Sequence, residues 1–251
     1  MAVCLALKGK NFGEGKPIIC VPVTEHRKTD IINEIKRLVE LDVEMIEWRI
    51  DAYEEVENVH AVKALLEEIR PFVVHTVFLY TFRSKKQGGL KEIEADKLEQ
   101  LHQIAAESKV VDFIDIEYFE TSNSNKKIFG LQQLGTHVIV SHHDFDKTPS
   151  ATAIAKLLEE MAQSKADIVK LAVMPHDNDD VLRLLEETYH FHKRYPNRLL
   201  ITMSMGSLGK VSRMMGELFG SCVTFGAGQN ESAPGQIRFE RLNEILTVIN
   251  G

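Results

Sequence analysis

Eight short apolar segments recur along this 251-residue chain, and their starts lie 23–38 residues apart. They cover residues 18–21, 44–50, 72–78, 110–116, 138–141, 166–170, 199–203 and 222–225. Most are apolar at successive positions instead of alternate ones, which is the pattern of strands buried on both faces. Both faces are covered when helices return each chain crossing, so the segments predict parallel strands with right-handed helical connections. Eight such units in about 250 residues fit a (β/α)8 barrel. The alternative is an open doubly wound sheet, but no G-x-G-x-x-G sequence follows any of the segments.

The intervening stretches carry helix signals. Thr29 and Asp30 open a helix with Ile31, Ile35, Leu38 and Val39 on one face. Further helices are expected around 62–69, 91–106, 179–192 and 237–248, and Thr148-Pro149 marks a start before Ile154, Leu157, Leu158 and Met161. Between the fourth and fifth strands the sequence is polar and marks no helix. No linker or low-complexity stretch interrupts the chain, so residues 1–251 read as a single domain. Its first 16 residues, an apolar piece at 3–7 and then a Gly/Asn/Lys turn, read as a small hairpin closing the barrel bottom.

A net charge of -7 supplies no basic stripe for phosphates and argues against a nucleic-acid partner. Cys4, Cys20 and Cys222 are far apart with no C-x-x-C spacing, and read as small core residues in a reducing compartment. No basic segment with a long apolar core opens the chain, and no run is long enough to span a bilayer. The expected location is the cytoplasm.

In a barrel the chemistry gathers at the carboxyl ends of the strands. Strand two delivers Glu47, Arg49 and Asp51, and the loop after strand three delivers Arg83 and Gln87. Strand five ends in His142 and His143, and Lys170 stands inside the apolar stretch 168–174. Met203 and Met205 follow strand seven, then Arg213; Phe225 is succeeded by a small-residue loop containing Ser232, Pro234, Gly235 and Gln236. A buried lysine is costly to hold charged, and burial would favour the neutral amine that attacks a carbonyl. With an adjacent histidine it forms the amine and proton-shuttle pair that imine chemistry on a ketone requires. The two histidines point to opposite sides of a strand, so only one faces the mouth. Glu47 and Arg49 share a face, either for a ligand or as an internal ion pair. An arginine such as Arg213 suits a bidentate grip on a substrate carboxylate, and residues 226–235 have the composition of a water-excluding lid. The sequence His142-His143-Asp144 lacks companions at metal-ligand spacing.

These residues fall in ordered motifs: IEWRID at 46–51, TFRS at 81–84 with Gly88-Gly89, SHHDF at 141–145, ADIVK at 166–170, ITMSM at 201–205, Ser212-Arg213, Phe225-Gly226 and SAPGQ at 232–236. In them the chain resembles the type I 3-dehydroquinate dehydratases from Pro17 to the end. The resemblance implies a barrel, usually a homodimer, that converts 3-dehydroquinate to 3-dehydroshikimate in the shikimate pathway with neither metal nor organic cofactor. It implies that Lys170 forms the imine and that His143, not His142, transfers protons. Arg213 would hold the substrate carboxylate, Glu47, Arg49 and Arg83 would meet its hydroxyls, and Ser232 and Gln236 would come from the closing loop, with Met203 and Phe225 as walls. Two positions depart from the family pattern: Pro22 replaces a serine of some members, and Gln87 stands where the pattern has glutamate. A glutamine still fixes a histidine tautomer but supplies no charge to an imidazolium. In the serine-protease triad, losing the orienting carboxylate costs up to about 10⁴ in rate. Three activities follow: the dehydratase, a Gln87 form that binds dehydroquinate with little turnover, and an aldolase-like use of the same lysine.

Overall fold

The computed structural model describes residues 4–250, so residues 1–3 of the expected hairpin lie outside the described part. Eight strands form one parallel sheet: β3 (Ile18–Val23), β4 (Met45–Arg49), β5 (Val77–Thr81), β6 (Phe113–Glu117), β7 (His137–Asp144), β8 (Ile168–Val173), β9 (Leu199–Ser204) and β10 (Val223–Phe225). Each pairs with the next from β3 to β9, and β10 pairs back onto β3. A parallel bridge between Leu200 and Ser221, with the Cys222 N–H donating to the Leu200 carbonyl at 2.8 Å, brings β9 to β10 and closes the circle. Among the described residues eight α-helices follow, one per strand: α1 (Lys28–Glu40), α2 (Val59–Ile69), α3 (Ala95–Ser108), α4 (Ser124–Gln133), α5 (Ala151–Gln163), α6 (Asn178–Arg194), α7 (Lys210–Met215) and α8 (Phe239–Asn250). This is the (β/α)8 barrel, not the open sheet.

Strand alternation divides the core in two. Ile19, Val21, Ile46, Trp48, Ile114, Val140, Val169 and Leu171 point outward under the helices. Ile18, Cys20, Met45, Val77, Leu79, Phe113, Ile139, Ile168 and Ala172 point into the barrel. The two-residue period then assigns the polar positions: Glu47, Asp115, Ser141, His143 and Lys170 share parity with the inward set. At the amino end of the barrel, β1 (Leu5–Leu7) and β2 (Lys10–Phe12) form an antiparallel pair. Phe12 is fully buried in the interior cluster with its ring 5.4 Å from that of Phe113. The Lys8 amine donates to the carbonyls of Val73 and Thr76, each at 2.9 Å, and pairs with Asp112 at 2.6 Å.

Several elements differ from the sequence expectation. The third strand starts at Val77 instead of Phe72, because residues 72–76 turn: Phe72 N–H bonds the Ile69 carbonyl and Thr76 N–H the Val73 carbonyl, leaving Val74 and His75 exposed. The fourth starts at Phe113, since Val110 and Val111 precede the first pairing with β5. α4 was unmarked because only Ile128 and Leu131 of its ten residues are buried, while Phe129 is 62% exposed. α3 begins at Ala95, not Lys91, and α1 begins at Lys28 without a side-chain cap. α5 is capped by Ser150, whose hydroxyl accepts the Ala153 N–H, so Pro149 lies before the helix; Thr148 donates instead to the Met174 carbonyl. α6 has Asp177 as its cap, with acids in its first turn and bases in its last, which complements the helix dipole. Cys20 and Cys222 are buried as expected, but Cys4 is exposed. Among the described residues, no helix is long and apolar enough to cross a membrane.

Candidate active site

At the carboxyl ends of the strands a small cavity of about 40 Å³ is lined by all eleven of the predicted site residues. Lys170 is its floor. The residue is 3% exposed, delivered by β8 between outward-facing Val169 and Leu171. Its amine is not in purely apolar surroundings, as the flanking sequence suggested. The Asp115 carboxylate lies 3.3 Å away, that of Glu47 3.7 Å, and the Phe225 ring centroid 4.3 Å. These carboxylates oppose the cost of burying an ammonium, and would equally face an iminium at the same nitrogen. Glu47 is itself held by the Thr81 hydroxyl at 2.8 Å. The expected alternative of a Glu47–Arg49 ion pair does not form; Arg49 makes a bidentate pair with Asp51 at 2.8 and 2.9 Å.

Sequence reasoning left Asp115, Glu117 and Ser141 out of the site. Asp115 receives Ser141 Oγ at 2.6 Å and Arg83 Nη2 at 2.9 Å in addition to the lysine. Burial pushes its carboxyl up, but Arg83 and Lys170 more than offset that and hold it below the usual range. Arg83 spans from Asp115 to Glu117 at 3.0 Å and to the Ser141 hydroxyl at 3.0 Å. The signal was available: an aspartate between Ile114 and Ile116 in an apolar strand invites the same question as a lysine there.

His143 is partly buried on the inward side of β7. His142 points outward, edge-on to Phe119 with ring centroids 5.3 Å apart. Gln87 Oε1 accepts both the His143 backbone N–H at 2.8 Å and ring Nδ1 at 3.1 Å. A backbone N–H is only a donor, so the atom facing it is the amide oxygen, and ring Nδ1 must carry the proton. Nε2 is thereby left with the free lone pair. Burial, then Arg83, Lys170 and Arg49, pull the imidazole well below its ordinary pKa. Gln87 is 1% exposed and its Nε2 has no partner among the described residues.

Gln87 is placed by a pinned turn. Asp51 accepts the backbone N–H groups of Arg83 and Leu90, and Glu117 accepts that of Ser84. The Ser84 carbonyl takes the N–H groups of Gln87 and Gly89. Gly88 has φ +83°, and a Cβ on Gly89 would lie 1.8 Å from the Arg83 carbonyl oxygen, so the turn requires glycines.

Arg213 of α7 closes the other side. It is 1% exposed and among the described residues touches no carboxylate: Nη1 donates to the Phe225 carbonyl at 3.3 Å and Nη2 to that of Pro234 at 3.2 Å, while Nε has no partner there. Burial draws its pKa down to about 10. Ser232 and Gln236 bond to each other, with the Ser232 N–H on Gln236 Oε1 at 2.7 Å. Met203 and Phe225 also line the cavity. Among the described residues no group of three or more His, Cys, Asp or Glu is arranged to hold a metal ion.

The profile of the type I 3-dehydroquinase family matches residues 19–251. The chain belongs to that family. It is an enzyme of the type I 3-dehydroquinase class. Its relatives include the 3-dehydroquinate dehydratase of Clostridioides difficile, 42% identical over 97% of this chain and 96% of that one. The Bacillus subtilis protein of the same name is 38% identical over 98% and 97%. A crystal structure of type I 3-dehydroquinate dehydratase from Clostridium difficile, with covalently modified comenic acid, superposes with a TM-score of 0.96 at 41% identity, covering 100% of this chain and 99% of that one. The type I 3-dehydroquinases and this chain thus share the barrel over its whole length.

Proposed function

We propose that this chain dehydrates 3-dehydroquinate to 3-dehydroshikimate through an imine on Lys170, with His143 moving the protons. The observation that carries the reading is one cavity holding a buried amine, an imidazole with its Nε2 lone pair free, and a buried guanidinium with no carboxylate of its own. The guanidinium of Arg213 takes the substrate carboxylate. The Lys170 amine, having lost its proton, adds to the C3 ketone and expels water to give an iminium, which Asp115 and Glu47 face as counter-ions. The iminium draws electrons from the neighbouring C2–H bond, and His143 Nε2 takes that proton, leaving an enamine. The enamine electrons return to expel the C1 hydroxyl, which leaves as water with the proton from His143. Water then hydrolyses the conjugated imine and frees the lysine, so the net change is loss of one water. Glu47, Arg49 and Arg83 contact the hydroxyls, and Ser232 and Gln236 close the lid side. We assign the enzyme to the shikimate pathway, as a cytoplasmic homodimer that needs neither metal nor organic cofactor and takes no nucleic-acid partner; light scattering checks the oligomeric state.

Borohydride reduction in the presence of dehydroquinate tests the chemistry. The Lys170 peptide gains the mass of the reduced ligand; an unmodified peptide from folded protein overturns the reading. Growth of the conjugated enone absorbance on adding substrate separates turnover from the silent-binder alternative, which gives the adduct without the chromophore.

A further inference from the structure

The charges of the site are divided unevenly between its two working groups. The carboxylates Asp115 and Glu47 gather at the Lys170 amine. Those of Asp51 and Glu117 are taken by Arg49 and Arg83. His143 is left with cations: Arg83 from the loop after β5, Arg49 from β4 and Lys170 from β8, with Arg213 of α7 on the same cavity. On its own strand it has His142, which points away, and Asp144, whose carboxylate accepts the backbone N–H groups of Asp146 and Lys147. On the Gln87 loop, Lys86 pairs with Glu120. The group that touches the imidazole ring is the neutral amide of Gln87.

That amide does half of what a carboxylate would do. It accepts the backbone N–H and the Nδ1–H from one oxygen, so it fixes the ring's position and tautomer. It adds no negative charge when the ring takes up a proton. Position and basicity, which a carboxylate partner would supply together, are here separated.

We propose that Gln87 is a tuning residue that makes His143 a weak base and a correspondingly strong acid, extending this enzyme's working range to lower pH. The proposal rests on the dehydratase reading above. Neutral imidazole is the form that removes the C2 proton, and beside the three cations Arg83, Lys170 and Arg49 it stays neutral as the pH falls. The imidazolium, once formed, is poorly held and readily passes its proton to the departing C1 hydroxyl. No group beyond the substrate and this histidine is needed: the proton leaves C2, rests on Nε2, and departs in the water. A weak base is tolerable because the iminium itself already acidifies C2–H. The cost falls on proton abstraction and the gain on loss of the hydroxyl, which leaves only with a proton supplied.

The test is Gln87→Glu, which keeps the acceptor and its shape while adding one charge at hydrogen-bond distance from the ring. An opposite charge so placed raises an imidazole's pKa by about one to three units. Below the pKa of the base in free enzyme, kcat/KM falls with pH, so the acid limb of the native profile lies about one to three pH units below that of Gln87→Glu. Nitrogen NMR titration of His143 in the two free proteins reads the same shift with no dependence on which step limits turnover. Coincident titrations of His143 overturn the proposal, as does a limb in Gln87→Glu at lower pH than in the native enzyme. Borohydride trapping is run on both proteins. Failure to trap substrate at Lys170 means that the dehydratase reading has failed, whereas trapping with coincident titrations means that only the role of Gln87 has.

Discussion

At the residue scale, the site is a set of charges whose partners are already allotted, and Arg213 is the exception. Its guanidinium meets only backbone carbonyls and the thioether of Met203, and one of its N–H groups has no partner. A buried cation so placed is destabilised until an anion arrives, so binding a carboxylate there recovers part of the cost of burial. Arg213→Ala is expected to lower kcat/KM by about a hundredfold, roughly 3 kcal/mol, mostly through KM. Arg213→Lys restores little of it, because an ammonium lacks the planar fork. Steady-state kinetics with dehydroquinate decide this, and an unchanged KM in either variant removes the carboxylate role. Much at this scale was legible. Lys170 announced itself as a charge in an apolar strand, and parity with Ile139 puts His143 inside and His142 out. What the sequence left open was the state of the amine, since nothing local shows that Asp115, 55 residues away, comes within 3.3 Å of it.

At the scale of elements, the connection from β5 to α3 carries more of the site's geometry than any helix. It is pinned by Asp51, in the turn just after β4, and by Glu117 at the end of β6, and its Ser84 carbonyl gathers two N–H groups into a turn that aims Gln87 at β7. Gly89→Ala would drive a methyl into the Arg83 backbone, which has no side-chain rotation with which to yield. We expect a stability loss of about 1–3 kcal/mol and a fall in kcat larger than that in Arg213 variants, seen by denaturant unfolding and by assay of the folded fraction. Wild-type kcat would show that the turn does not place Gln87. Elements with strong apolar periodicity, such as α2, α5 and α6, were readable because one face of each must be buried. α4 was not, since two buried residues make too narrow a face. The start of β5 was misplaced for the opposite reason: residues 72–76 are apolar enough for a strand, yet their backbone groups are used in turns.

At the scale of the whole molecule, the two ends of the barrel do different work. The carboxyl end is polar and holds the cavity, whereas the amino end is plugged by the hairpin, with Phe12 packed among the first residues of β3, β5, β6, β8 and β9. Phe12→Ala should cost about 3–5 kcal/mol by leaving a void in that plug, lowering the denaturant midpoint while kcat per folded molecule holds. A fall in kcat without a fall in stability would mean that the two ends are coupled. The sequence by itself determined the barrel, because eight doubly apolar strands spaced for helical crossovers have few other ways to bury both faces. It also determined which strand positions face the mouth, Lys170 and His143 among them, because position at a strand's end and parity are local properties. Only the tertiary structure decided how those charges pair, placing carboxylates at the amine and cations around the imidazole. That division depends on which strands become neighbours when the sheet closes, and electrostatic energy depends on distance through space, not along the chain.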